Sequence, residues 1–222
     1  MKIKILTAAA LIATGFTVSA QFNSSALNSG NRQVNLIKKK ETAAEGSMYI
    51  NDKFIPAKIS GQQSTYMLRY NAYHDYFEMT GSDGEPKQLP VTPGEQITII
   101  NKNYILADYK DSKDESFKGY LSVIYGGTKV KIYRRERIVY QAATEAANSY
   151  QQGKPAAYKR AADEFYISTD GQPALFLQPS RKGISKLFPD KAKQIQEFMK
   201  ANNIDLETEE GLKRIGAYLD TI

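Results

Sequence analysis

The chain contains no cysteine, no tryptophan and a single histidine, His74. Without cysteine it forms no disulfide, carries no thiolate nucleophile and holds no Cys-ligated zinc or iron–sulfur cluster. The bacterial lipoprotein route, which attaches lipid to a processing-site cysteine, is closed as well. One histidine excludes metal sites built from several histidines and relays of paired histidines. We therefore expect no metal site and no cofactor, and hydrolytic chemistry would have to use His74 or carboxylates alone.

Catalytic motifs and long apolar runs are also missing. The sequence has no G-x-S-x-G elbow, no H-E-x-x-H pair and no phosphate-binding glycine loop. No repeat of fixed period predicts a propeller or a solenoid. Beyond the first twenty residues, no stretch approaches the roughly 20 apolar residues of a membrane-spanning helix. We therefore expect no transmembrane segment after processing.

The formal net charge is modest: it is +6, and removing Lys2 and Lys4 with the first twenty residues lowers it to +4. A charge of this size serves solubility and is too small to predict nucleic-acid binding. Arg134-Arg135-Glu136-Arg137 is a basic cluster, which predicts a solvated strand end or a contact with an anionic surface.

The N-terminus has the three parts of a secretory signal peptide. Lys2 and Lys4 precede an apolar run, and Val18-Ser19-Ala20 places small side chains at the −3 and −1 positions. We expect a signal peptide at residues 1–20, cleaved before Gln21, and export to the periplasm, the outer membrane or the medium. The alternative is an uncleaved anchor. A glycosylation triplet at Asn23–Ser25 would suit a eukaryotic secreted protein, but the lack of cysteine favours a bacterial one.

The rest of the chain predicts an α+β fold, antiparallel and β-rich first, with a short helical C-terminal tail. Residues 21–46 are polar, which predicts a flexible leader. Residues 47–141 alternate short apolar runs with turn residues, which predicts an antiparallel β domain. Residues 142–182 are a connecting segment with a strand pair. Residues 183–222 carry apolar stripes at helical spacing, and helices this short must pack on the sheet.

Turn residues refine this prediction. We expect a hairpin across Glu95–Tyr109 with its turn at 101–103, and a second across Phe117–Tyr133 in which Gly126-Gly127 supply positive φ angles. Asp170-Gly171 should join the later strand pair, and Thr208 should cap the last helix. Residues 142–162 are either a helix broken at Gly153–Pro155 or a linker that crosses the sheet.

The segment Thr65–Met79 is the most informative. Its apolar residues alternate up to Ala72 and then change phase, which requires a bulge or a tight bend at Asn71–Asp75. Bends often carry functional groups, so we take Asn71, His74 and Asp75 as candidates, with His74 as a base beside an acid. The alternative is a histidine that is simply exposed in a turn.

Paired carboxylates for glycoside cleavage depend on the fold, and Asp75 with Glu78 is the first pair to inspect. Three residues apart on a strand, they would lie on opposite faces, which counts against them.

Fifteen tyrosines offer flat rings with polar ends, which suit sugar or peptide contacts as well as ordinary packing in half-buried strands. We take four residues of the segment Thr65–Met79 as candidate binding residues: Tyr66, Arg69, Tyr70 and Asn71.

Several of these segments resemble a family of exported, uncharacterised proteins of Bacteroidota. The resemblance lies in Ser47–Asn51, Phe54–Pro56, Leu68–Asn71, Phe117–Tyr133 and the tail from Lys186-Leu187-Phe188 to Phe198–Asn203. It covers nearly the whole chain after residue 20, with Leu68–Asn71 the most specific stretch. It implies a compartment and a lineage but no catalytic residue.

Three hypotheses follow. The first is a non-enzymatic exported protein of the cell envelope that binds or scaffolds through its tyrosine-rich sheet, with an envelope protein or a polysaccharide as partner. The second is a carboxylate-based hydrolase of envelope or extracellular polysaccharide. The third is a subunit of a larger surface or secretion complex. The oligomeric state stays open.

Overall fold

The computed structural model describes residues 44–90, 92, 94–146 and 152–222. Twelve strands, three α-helices and one short 3₁₀ helix (Pro189–Lys191) follow one another along these residues. The strands are β1 (Ile55–Ile59), β2 (Thr65–Asn71), β3 (Tyr76–Thr80), β4 (Pro86–Gln88), β5 (Gln96–Ile99), β6 (Lys102–Lys110), β7 (Ser116–Gly126), β8 (Val130–Arg135), β9 (Ile138–Gln141), β10 (Ala157–Arg160), β11 (Glu164–Thr169) and β12 (Ala174–Leu177). The α-helices are α1 (Arg181–Leu187), α2 (Ala192–Ala201) and α3 (Glu209–Thr221). The chain is therefore β-rich, with its helices at the C-terminal end. The predicted signal peptide at 1–20 and residues 21–43 of the predicted leader lie outside the described residues.

Five strands close into a small barrel. Strands β6, β7, β8, β11 and β12 pair in that order, and all these pairs are antiparallel. The barrel closes where Ala174 and Leu175 of β12 pair in parallel with Tyr109 and Lys110 of β6. Side chains alternate across each strand, so one set points inward. The interior set is aromatic, and its buried members are Tyr109, Leu121, Tyr133, Tyr166 and Ala174.

Five further strands extend the same sheet from the first half of β6. Strand β5 pairs with residues 102–105 of β6, and β1, β2, β3 and β4 follow in order, all antiparallel. Their inner face forms a second core that includes Leu68, Tyr70, Phe77, Tyr104 and Tyr120. The exposed edge strand, β4, is three residues long and contains Pro86 and Lys87, which disfavours edge-to-edge pairing with another chain.

The three helices pack against the outer face of β7, β8 and β11. Ile132 and Ile167 of the sheet belong to one buried cluster with apolar side chains from every α-helix, among them Ile184, Ile195 and Ile215. Thr208 caps α3 as predicted, since its side chain accepts a hydrogen bond from the Gly211 amide at 3.0 Å. None of these helices has the length and apolar character needed to cross a membrane.

The strand pair near the C-terminus is part of the main sheet rather than of a connecting segment. Strand β11 pairs with β8 along six residues, and β12 closes the barrel. The boundary that the sequence suggests at residue 141 therefore does not separate two structural layers. Asp170 and Gly171, with φ of 50° and 74°, make the predicted turn between these strands.

The described part of residues 142–162 matches neither of the two alternatives. Strand β10 pairs with β9 as a separate two-stranded sheet, and Thr144 forms a bridge with Lys154. The described part of this segment contains no helix, and residues 147–151 lie outside it. Glu45, at the end of the predicted leader, forms a parallel bridge with Ala157, so this residue is bound to β10.

Both predicted hairpins are present, but their turns differ in detail. Strand β6 begins at Lys102, so the turn lies at residues 100–101 and Ile100 adopts a φ of 55°, which is unfavourable for a β-branched residue. Gly126 and Gly127 join β7 to β8 without positive φ angles. Gly127 has another role: a Cβ there would lie 2.5 Å from Oδ1 of Asp220 on α3.

Candidate functional site

The phase change in Thr65–Met79 is a chain reversal. Strands β2 and β3 form a hairpin in which Asn71 faces Tyr76, and residues 72–75 are its turn. Asp75 ends the turn with a φ of 58°, a conformation that aspartate tolerates better than most residues. Asn71 fixes the turn from below, because its Oδ1 accepts a hydrogen bond from the His74 amide at 2.9 Å.

Asp75 points into the protein, toward β7. Its Oδ1 accepts hydrogen bonds from the Tyr70 hydroxyl at 2.5 Å and from the Tyr120 amide at 3.1 Å. The close approach depends on Gly119, where a Cβ would lie under 3.0 Å from Oδ2 of Asp75. Burial, followed by the charge of Asp75, raises the pKa of Tyr120 to about 12. Asp75 therefore fastens the turn to the barrel.

Glu78 belongs to a different cluster, on the other face of the hairpin. Its Oε2 accepts a hydrogen bond from Arg69 Nε at 2.8 Å, and its Oε1 accepts one from the Tyr49 hydroxyl at 3.1 Å. The Arg69 guanidinium lies 3.8 Å from the centre of the Tyr49 ring and 4.4 Å from that of Phe54. Burial and the charge of Glu78 raise the pKa of Tyr49 far above its usual value. The cluster joins the segment before β1 to the hairpin.

The candidate binding residues therefore do not share a surface. Tyr70 is buried against Phe77 and Tyr104, with ring centroids at 4.9 and 5.3 Å. Tyr66 lies near the start of β2 and donates its hydroxyl to Gln62. Arg69 and Asn71 hold structure in place. Of the sequence candidates, only His74 faces solvent within the turn.

His74 belongs to a row of aromatic rings that the sequence does not predict. We call this row the aromatic strip, and its members in spatial order are Tyr140, Tyr158, Tyr73, His74 and Tyr76. Successive ring centroids are 5.4, 5.0, 4.6 and 5.9 Å apart. Tyr140 and Tyr73 are 41% and 38% exposed. The strip thus offers aromatic surface to solvent along the turn and the β9–β10 sheet.

The backbone beneath the strip is held from both sides. The amides of Ala72 and Tyr73 donate to the Met48 carbonyl at 2.9 and 3.3 Å, and the Ile138 amide of β9 donates to the Ala72 carbonyl at 3.4 Å. Strand β10 is paired with β9 along its whole length. Because the rings stand on hydrogen-bonded backbone, the strip is organised before any ligand arrives.

A second unpredicted cluster lies beyond β8. Six side chains of alternating charge follow one another from the β5–β6 hairpin to α3: Lys102, Glu136, Arg160, Asp163, Arg134 and Glu209. The Glu136 carboxylate, 3% exposed, accepts hydrogen bonds from Lys102 at 2.7 Å, from Arg160 at 3.2 Å and from the Tyr104 hydroxyl. Burial raises the pKa of Asp163. Arg134 and Glu136 of the basic cluster belong to this row, whereas Arg135 and Arg137 pair with Glu164.

Glu136 and Asp163 are brought close together because both accept hydrogen bonds from the same atom, Arg160 Nη2. Two oxygens on one nitrogen lie at most about 6 Å apart, since hydrogen bonds span about 3 Å. Retaining glycosidases place their carboxyl groups at about 5 to 5.5 Å. The sequence pair, Asp75 and Glu78, shows no such shared contact, and its members serve the two clusters described above.

A cavity of about 220 Å³ opens at the end of the barrel beside the β11–β12 turn. Its polar lining includes Asp108, Lys131 and Ser168. It contains none of the candidate residues from the sequence. Among the described residues, no three His, Asp or Glu side chains are placed so that they could hold a metal ion.

The sequence matches no protein-family model, no curated protein and no solved structure.

Proposed function

We propose that this chain is a non-enzymatic binding module of the bacterial cell envelope that is exported and binds its partner through the aromatic strip. The observation that carries the proposal is the strip, in which rings from the β2–β3 turn and from β9–β10 form one row on a fixed backbone. Exposed tyrosines on a rigid backbone can contact a ligand at a small entropic cost. The N-terminal sequence supports export, and the resemblance to exported proteins of Bacteroidota supports the lineage.

Binding is tested by mixing the purified protein with an envelope fraction of the source cells and sedimenting the envelopes. The protein should sediment with them. Replacing Tyr73 and Tyr140 together by alanine should weaken retention by at least about tenfold, because losing an exposed aromatic anchor typically costs 1 kcal/mol or more and 1.4 kcal/mol is a factor of ten. The matched control replaces Met67 and Leu175, which are 44% and 42% exposed and lie outside the strip. Equal retention of both double variants would contradict the proposal.

Export is tested separately by mass spectrometry of the native protein from fractionated cells. The expected N-terminus is Gln21, and the expected compartment lies outside the cytosol. Ala20→Leu should block cleavage and accumulate the precursor, because the processing site requires a small residue at −1. Native protein that begins at Met1 and is recovered from the cytosol would contradict this part of the proposal.

A carboxylate-based hydrolase is the second candidate, and the pair Glu136 and Asp163 favours it. The raised pKa of Asp163 has the direction that a general acid needs. Against it, Glu136 is almost completely buried and is neutralised by Lys102 and Arg160. If this candidate holds, the purified protein releases reducing sugar ends from envelope polysaccharide, and Asp163→Asn and Glu136→Gln each abolish the release. A wild-type protein that releases none removes this candidate.

A further inference from the structure

We infer that the aromatic strip binds a polysaccharide, through the C–H faces of its sugar rings, rather than a protein. This inference rests on the proposed binding function and specifies its ligand. A pyranose ring has flat faces of C–H bonds and a rim of hydroxyl groups. Tyrosine has the complementary pattern, with an apolar ring and a polar end. Four of the five strip members are tyrosines, and the two most exposed of them, Tyr73 and Tyr140, can each contact a sugar face with the ring and a sugar hydroxyl with the phenolic hydroxyl.

The exposed area of the strip is too small for a stable protein interface. A tyrosine side chain offers about 200 Å² when fully accessible, so Tyr73 and Tyr140, at 38% and 41%, together expose about 160 Å². Tyr76 and Tyr158 are less exposed than these two, and His74 is a smaller ring. The strip as a whole therefore exposes a few hundred Å². A standard protein interface buries about 800 Å² on each partner.

The other exposed apolar side chains do not enlarge the strip into an interface core. Among the described residues these are Met67, Ile100, Phe117 and Leu175. Met67 lies on β2, four residues before Asn71 at the end of that strand. Ile100 lies in the β5–β6 turn. Phe117 and Leu175 belong to β7 and β12 of the barrel. A protein partner would need apolar surface around the rings, whereas a sugar chain needs only the row of rings.

The row also has the form that a chain ligand requires. Four ring-to-ring steps of 4.6 to 5.9 Å lead from Tyr140 to Tyr76. The first three neighbouring pairs are inclined at 57° to 68° and the last pair at 20°, so a sugar chain that follows the row meets ring edges as well as ring faces. Contacts of this kind are individually weak and add along the chain, as they do for bases stacked on aromatic side chains. A short oligosaccharide should therefore bind more weakly than the polymer.

The test uses the same envelope fraction in three portions: untreated, digested with protease, and oxidised with periodate, which cleaves the vicinal diols of sugars. The full protein, the Tyr73→Ala/Tyr140→Ala variant, the Met67→Ala/Leu175→Ala control and a Tyr73→Phe/Tyr140→Phe variant are each sedimented with every portion. Circular dichroism and urea unfolding of each variant verify that it is folded. The phenylalanine variant keeps the rings, so it should retain more binding than the alanine variant.

We expect protease digestion to leave retention of the wild-type protein within about twofold and periodate to reduce it at least tenfold. The alanine variant should bind at least about tenfold more weakly than its control on the protease-treated portion. Strip-dependent retention that disappears after protease digestion would identify a protein partner; it would overturn this inference and leave the proposed binding function standing. Retention that does not depend on Tyr73 and Tyr140 in any portion would overturn both.

Discussion

Gly119 is the position at which a single methyl group should disturb the fold most specifically. It is the fourth residue of β7 and pairs with Ala107, and its missing side chain leaves the space that the Asp75 carboxylate occupies. Its φ is not positive, so an alanine is compatible with the backbone and meets only a steric obstacle. The effect of Gly119→Ala therefore reports on the contact between the hairpin turn and the barrel.

The structure allows the cost to be estimated. To reach ordinary van der Waals distance from a Cβ at residue 119, the carboxylate of Asp75 has to retreat by about 1 Å. Its hydrogen bond from the Tyr120 amide, now 3.1 Å, is then lost, because Tyr120 lies on the same strand as the new methyl group. A hydrogen bond to a charged group contributes about 1.5 to 3 kcal/mol, and overpacking costs 1 to 3 kcal/mol. Allowing for relaxation and for the better strand propensity of alanine, we expect a loss of about 2 to 4 kcal/mol.

The assay is urea unfolding at pH 7, with thermal unfolding as a second measurement. The melting temperature should fall by about 2 to 4 °C for each kcal/mol in a chain of this size. Gly126→Ala is the matched control on the same strand, because its Cβ would meet only Val123 at an ordinary 3.5 Å; we expect less than about 1 kcal/mol there.

A double-mutant cycle separates the clash from other effects of the substitution. In an Asp75→Ala background the carboxylate is gone, so Gly119→Ala should cost less than about 0.5 kcal/mol. In an Asp75→Asn background the amide has the same size and the cost should persist. If Gly119→Ala is as mild as Gly126→Ala, or if it is equally harmful in the Asp75→Ala background, the steric argument is wrong.

Three further predictions concern other contacts. The pKa of Tyr120 is raised to about 12 in the folded protein, so the stability that its neutral hydroxyl contributes is complete below the usual tyrosine pKa near 10 and is lost as the pH rises toward 12. Tyr120→Phe should therefore make the alkaline decline of the free energy of unfolding, measured in urea, shallower. Hydrogen bonds from three backbone amides of the β7–β8 turn lower the pKa of Asp220, so Asp220→Ala should speed hydrogen exchange of those amides at neutral pH. In the wild-type protein, the exchange of the same amides should begin to lose its protection as the pH falls below about 4, where the carboxylate starts to be protonated. Arg69→Lys cannot reproduce the stacked, forked contact with Glu78 and should lower the free energy of unfolding by about 1 to 3 kcal/mol, whereas unchanged urea stability would contradict that reading.

The parts of the fold that local chemistry determines could be predicted. Asp170-Gly171 makes a turn because these two residues tolerate positive φ, and Thr208 caps α3 because its hydroxyl reaches an amide three residues on. Alternating strands and apolar helical stripes likewise depend on spacing along the chain. These features need no information about distant residues.

Contacts between distant segments could not be predicted in the same way. Gly126-Gly127 has the composition of a turn with positive φ, but Gly127 is needed because the Asp220 carboxylate, more than ninety residues later, lies against it. The parallel pairing of β12 with β6 depends on barrel closure, which no short-range pattern records. The turn at Ile100 is unfavourable for its residue type and is set by the pairing of β5 with β6.

The candidate site shows the same division. The sequence locates the bend at Asn71–Asp75 and singles out His74, since a phase change is visible in the alternation of residues. It does not show that Tyr140 and Tyr158 lie beside that bend, because this depends on the β9–β10 pairing and on one hydrogen bond from Ile138 to Ala72. Their spacing along the chain carries no signal of a shared surface.

Three consecutive residues in the turn have opposite roles, and this links the strip to the interior. Tyr73 and His74 project to solvent, while Asp75 turns inward with a left-handed φ and binds the Tyr120 amide of the barrel. If Asp75 moved outward, the turn would lose its anchor and the two rings before it would lose their fixed direction. The space beside Gly119 thus determines where the exposed rings stand. An exposed row of rings held through a buried carboxylate is rigid for a physical reason, since moving the rings requires breaking hydrogen bonds to a buried charge.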